Sequence, residues 1–172
     1  MRAVTGWSFH ALGLPAAQGS KSYKGMTKGG HAILAESSNK VAPWRDTVTS
    51  ACFGVPKLEG PVGVRIVFTL QRPKGAPKRV VLPCTSRFDL DKLARACLDS
   101  VTAAGGWGDD GQVCEVNRLA KVFPGRDFDS EALPVPGVVM AAAQIVPDED
   151  IRSALWCLMA DELKKVWAKV PA

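Results

Sequence analysis

The sequence predicts a single α+β domain: a small mixed sheet with helices packed on it, closed by a C-terminal helix. Three observations carry that expectation. The 172 residues, 47% hydrophobic and 23% charged, have the length and composition of one globular domain. Residues 62–70 alternate at strict period two, while 41–53, 91–104 and 148–170 follow helical spacing. No repeat or separate linker divides the chain, so 1–147 is read as the domain and 148–172 as an amphipathic helix appended to it.

Residues 3–12 alternate weakly and read as a first strand. Residues 16–30 are polar, hold four glycines and read as a loop carrying Lys21, Lys24 and Lys28 around Tyr23, the single tyrosine. A helix is expected over 41–53, with Pro43 in its first turn, a Val41/Trp44/Val48/Cys52 stripe and Gly54 as its stop. In the strand over 62–70, Val62, Val64, Ile66, Phe68 and Leu70 share one face, expected to be buried. Gly63, Arg65, Val67 and Thr69 share the other, expected to be half-solvated. A Pro- and Lys-rich loop follows, 71–79.

The helix over 91–104 has an apolar stripe of Leu93, Ala96, Cys97, Val101 and Ala104. Its polar face carries Asp91, Arg95 and Asp99, and Gly105-Gly106 ends it. Residues 112–123 and 137–146 read as strands joined by a loop; the Ala141–Ala143 run makes the second the weaker strand pattern. The last helix starts on Asp148, Glu149 and Asp150 and ends on Lys164, Lys165 and Lys169, matching the helix dipole. Its stripe of Ile151, Leu155, Leu158, Met159, Leu163, Val166 and Trp167 must pack on the domain or on a partner.

Composition excludes several classes. No stretch approaches 18 uninterrupted apolar residues, so no membrane span is expected. The N-terminus lacks a secretory pattern, and five cysteines without CxxC spacing argue for free thiols in a reducing cytoplasm. His10 and His31 have no ligand-spaced neighbour, which leaves little for a His-based metal site or a Ser/His/Asp triad.

The net charge of +5 hides a split. Residues 1–88 hold 13 Lys/Arg against 3 Asp/Glu, and residues 89–172 hold 9 against 14. A basic half suits a polyanion. Part of the acidity, Asp148 to Asp150, is explained by helix capping. Asp89, Asp91, Asp99, Asp109 and Asp110 instead bracket one helix. Taken singly, an Asp at a helix start is an N-cap and Asp-Asp-Gly is a turn. Taken together, converging carboxylates repel unless a cation neutralises them, and hard oxygen donors select Mg²⁺ or Mn²⁺. Such ions activate water and steady the leaving oxygen of a phosphodiester. The helix is about 20 Å long at 1.5 Å per residue. The six residues 105–110 reach at most about 20 Å, so bringing Asp110 back to Asp91 is just possible within one chain.

The run Asp89-Leu-Asp91-Lys-Leu93-Ala-Arg95-Ala-Cys-Leu-Asp99, then Gly105-Gly-Trp107-Gly-Asp109-Asp110-Gly-Gln112-Val113, resembles the RusA family of bacterial and phage Holliday junction resolvases. That family carries Asp-x-Asp-Asn-Leu-x-Lys, an Asp late in the helix, a Gly/Trp turn and Asp-Asp-x-Gln-Val. Pro15 to Lys21 and Trp44-Arg45 are more weakly similar to the family's upstream segments. Two departures stand out: Lys92 replaces the usual Asn, and Arg95 replaces the helix lysine, keeping the charge but not the shape.

The resemblance implies a RusA-like fold and a homodimer acting on four-way DNA junctions in the cytoplasm of a bacterium or a phage-infected host, in recombination and repair. It implies Asp89, Asp91 and Asp110 as metal ligands, with Asp109 as a further candidate, and Mg²⁺ (or Mn²⁺) as cofactor. Arg95 would offset charge on the phosphorane-like transition state. Lys21, Lys24, Lys28, Lys74, Lys78, Arg79, Lys92 and Lys121 are the candidate DNA contacts, and Tyr23 a candidate for base stacking. Three rivals stay open: a metal nuclease of another family acting on flaps or duplex, a non-catalytic branched-DNA-binding protein, and a protein-interaction module.

Overall fold

Period-two alternation and apolar helical stripes become six strands and three helices among the described residues of the computed structural model. Those residues are 5–19, 22–35, 38–77, 80–85, 88–125, 129–147 and 149–170. In chain order the elements are β1 (Gly6–Leu12), β2 (Ser22–Met26), β3 (Ala32–Ala35), α1 (Val41–Cys52), β4 (Val62–Thr69), α2 (Leu90–Ala104), β5 (Val113–Val122), β6 (Gly137–Gln144) and α3 (Ile151–Trp167). A single 3₁₀ turn, Asp110–Gln112, leads into β5.

The main sheet has the order β1-β6-β4-β5. Strand β6 runs antiparallel to both neighbours, whereas β4 and β5 are parallel and joined by α2. A parallel pair needs such a crossover, and this one fixes where the acidic motif lies. Helices α1 and α2 cover one face, with Trp7, Phe9, Val64, Ile66, Phe68, Leu93, Cys97 and Trp107 in the core between them.

The other face of β4 is not half-solvated as the alternation implies. Helix α3 covers it, burying Val67, Val139, Ala141 and Ala143 under Ile151, Leu155, Met159 and Leu163. Gly63 is what lets α3 settle: a β-carbon there would lie 3.0 Å from Ile151 Cγ1. The same need for small side chains explains the alanines of β6. They are poor strand formers. The strand is central, however, with helices on both faces, and its burial is complete from Gly137 to Ala143. The last helix therefore completes its own chain's second core. Asp150 caps it, accepting hydrogen bonds from the Arg152 and Ser153 backbone NH groups at 3.1 and 3.2 Å. Asp148 lies outside the described residues.

Residues 16–30 hold more order than a loop. Strands β2 and β3 pair antiparallel as a separate ribbon, with a register shift between Tyr23 and Gly25. Gly25 has φ +132°, a conformation that β-carbons disfavour. That irregularity is what erases the alternation from the sequence.

The 124–136 link is anchored by charge. Wholly buried Glu131 accepts from Arg65 Nε at 2.5 Å and Nη2 at 3.0 Å, and also from Arg118. Arg118 also pairs with Asp129 at 2.5 Å. Burial pulls the Arg65 guanidinium below its ordinary value, partly offset by Asp129. Trp156 lies 5.1 Å from Arg65, ring against guanidinium.

Candidate functional site

Helix α2 organises the acidic motif because the motif straddles it. Its first residues follow the loop after β4, and its end feeds β5, so the two acidic pairs sit at opposite ends of one rod. Fifteen residues make α2 about 22 Å long.

At the N-terminal end, Asp89 has the extended backbone of an N-cap but makes no capping hydrogen bond. Its carboxylate turns to Lys92, with Nζ 2.5 Å from Oδ2. That hydrogen bond and charge hold the Asp89 carboxyl below its usual range, with a further contribution from Lys121, and they raise the Lys92 ammonium in return. Both side chains are exposed. Lys121, near the end of β5, donates to the Phe88 carbonyl at 2.7 Å and so ties the sheet to the residue before Asp89. Asp91 and Arg95 are exposed on α2, and their side chains make no hydrogen bond or ion pair among the described residues. Asp99, lower on the same face, is committed: it accepts from Gln18 Nε2 at 2.9 Å and lies 3.9 Å from Arg45 Nη1.

The C-terminal end is built differently. Gly105 takes the left-handed conformation (φ +81°), and Gly106 N–H returns to Val101 O at 3.0 Å. Trp107 is buried, and its indole N–H donates to Thr102 Oγ1 at 2.8 Å. Asp109 caps the 3₁₀ turn, accepting from Gly111 N–H at 2.8 Å. Gln112 closes the box, accepting from Gly108 and Asp109 NH groups at 2.7 and 3.2 Å. Its amide donates to Leu58 O and Gly60 O at 3.3 and 2.8 Å. The Asp110 side chain is left exposed, with no hydrogen bond or ion pair among the described residues.

The return of Asp110 along the helix, allowed by chain length, therefore does not occur. Residues 105–107 fold onto the end of α2, and β5 begins opposite Val62, at the other end of the strand from Lys121, which binds Phe88 O. The structure brings together Asp89, Asp91, Lys92, Arg95 and Lys121, and places Asp109 and Asp110 roughly 20 Å away, one helix length. Among the described residues no three His, Cys, Asp or Glu side chains gather closely enough to hold a metal ion. The donor chemistry fits a hard cation; the arrangement within one chain does not.

Of the candidate DNA contacts, Lys24 and Lys28 are exposed on the β2–β3 ribbon and Lys74 on the loop after β4. Lys21, Lys78 and Arg79 lie outside the described residues. Sequence reasoning missed one feature: an open cleft of about 630 Å³ between residues 14–17 and the start of the 70–74 loop, floored by Phe88. Its signal was faint, an isolated Leu14-Pro15 before the glycine-rich stretch.

Residues 15–126 match the family model described as endodeoxyribonuclease RusA. No curated protein matches the chain.

Proposed function

The chain belongs to the RusA endodeoxyribonuclease family, and from that premise we propose that it is a metal-dependent homodimer that resolves four-way and related branched DNA during recombination and repair, with each active site shared between two protomers. The observation that carries this is the separation of the exposed acids by α2. Asp89 and Asp91 stand at one end and Asp110 at the other, so a second chain is the simplest source of the missing carboxylate. A two-fold dimer supplies two such sites at once, matching the two symmetric strands of a junction.

Mg²⁺ or Mn²⁺ held there supplies positive charge at the scissile phosphate and a more acidic water. Asp89 and Asp91 of one protomer and Asp110 of the other are the residues that would hold it. Asp109 serves as the cap that aims Asp110. Arg95, one turn beyond Asp91, grips a phosphate oxygen with its planar fork. Lys24, Lys28 and Lys74 hold backbone phosphates, and Lys92 and Lys121 keep the Asp89 end cationic enough to receive DNA. The setting is the cytoplasm; no described helix is long and apolar enough to cross a membrane.

A non-catalytic junction-binding protein is the second reading, favoured by the Lys92–Asp89 pair and by the use of Asp109 as a cap. Cleavage of four-way, flap and linear DNA in Mg²⁺, Mn²⁺ and EDTA separates the two. Paired cuts in the four-way junction alone, lost in EDTA, support the resolvase. Cutting of flaps in preference points to another nuclease specificity, and metal-independent binding without any cut establishes the binding protein.

A further inference from the structure

The cleft in front of Phe88 is assigned to no step of strand cutting, yet Phe88 immediately precedes Asp89. Leu14, Pro15, Leu70, Pro73 and Phe88 make it largely apolar, while Ser38 and Gln71 offer polar side chains. Lys40 and Lys74 stand among the lining residues, no acid does, and neither lysine forms an ion pair among the described residues. Arg72 is engaged elsewhere, donating to Pro77 O and to Val80 O at 2.8 Å. Leu14 is 61% exposed, an unusual place for a large aliphatic beside cations.

The walls are held in place. Gly13 N–H bonds Pro136 O at 2.9 Å, and Gln18 N–H bonds Lys92 O at 3.0 Å, so the 14–17 segment is pinned at both ends. Leu70 N–H bonds Val122 O at 2.8 Å, fixing the facing wall to β5. A preformed apolar slot loses little order on binding. Its volume falls within the roughly 300–1,000 Å³ of small-ligand sites.

We infer that this cleft receives a nucleobase unstacked from the branch point, its face against Leu14, Pro73 and Phe88 and its flanking phosphates on Lys40 and Lys74. A nucleobase is planar and apolar on its faces, polar along its edge and tethered to anions. The cleft offers the complement of each part, and Ser38 and Gln71 can meet the edge. An unstacked base costs least at a junction, where pairing is already broken, so the cleft favours branched over linear DNA. The inference rests on the branched-DNA reading above.

The test places 2-aminopurine at each branch-point position of a four-way junction in turn and titrates protein in EDTA, so that binding is read without cutting. Wild-type protein is expected to raise the fluorescence at one position. Leu14→Glu puts a carboxylate into an exposed part of one wall, which spares the core. It is expected to abolish that rise and weaken junction binding by roughly tenfold, the worth of one stacked base. An undiminished rise in Leu14→Glu overturns the assignment. So does a wild-type protein that binds and cuts the junction with no rise at any position, and in that case the nuclease reading stands. Failure to bind junction DNA at all overturns both.

Discussion

The two ends of α2 carry similar acids in opposite kinds of surroundings. At the N-terminal end, the Asp89 side chain is held only by exposed Lys92, through one hydrogen bond and its charge, with a smaller influence from Lys121. At the C-terminal end, the Gly105–Gln112 segment is knitted by hydrogen bonds to α2 and to the approach of β4, and only Asp110 projects from it. One end fixes a carboxylate by no more than one exposed pair. The other presents a single carboxylate at a fixed angle, as a rigid partner for someone else's site would.

The largest expected effect comes from removing that projecting acid. Asp110→Asn should abolish junction cutting, exceeding the roughly 10–100-fold that outer-sphere changes around metals cost. Binding of junctions in EDTA should persist, which gel-shift titration checks. Next is the anchor behind it. Trp107→Ala empties a buried site and should cost about 3–5 kcal/mol in urea unfolding. Gln112→Ala removes a half-buried amide with four backbone partners. It should cost about 1–3 kcal/mol and slow cutting more than it weakens DNA binding, because Asp110 loses its fixed aim.

The smallest effect belongs to the other end. Lys92→Asn should leave stability near wild type, since the pair it breaks is exposed. The Asp89 carboxyl should then titrate closer to its ordinary range, read by carboxyl NMR. The sign follows from the depressed value: Lys92 favours the ionised Asp89 above its folded-state pKa, and that preference fades as pH falls through it. An unmoved Asp89 titration would show that the two side chains do not pair in solution.

Much of the fold was legible because burial writes periodic patterns. The stripe of Leu93, Cys97 and Val101 and the alternation from Val62 to Phe68 survive in the structure as one core. The β2–β3 ribbon was not legible, since the Gly25 irregularity breaks period two. Coverage of the second face of β4 was misread because Gly63 looks like an open position until α3 is laid over it. At the site, residue types and spacing marked the five acids that bracket α2, the family resemblance singled out Asp89, Asp91 and Asp110 among them, and chain reach left Asp110 free to return to Asp91. What keeps them apart is the contact of Trp107 with Thr102 and of Gly106 with Leu58, tertiary facts that no local pattern records.

The shared site is tested most directly by mixing two inactive proteins. Asp91→Asn and Asp110→Asn, each alone, should fail to cut a four-way junction in Mg²⁺. Co-refolded, a mixed dimer pairs the intact Asp89 and Asp91 of one chain with the intact Asp110 of the other, and should nick one strand of the pair. Continued inactivity, with mixed dimers demonstrated by differential tags, would mean that each site is built within one chain and would contradict the account.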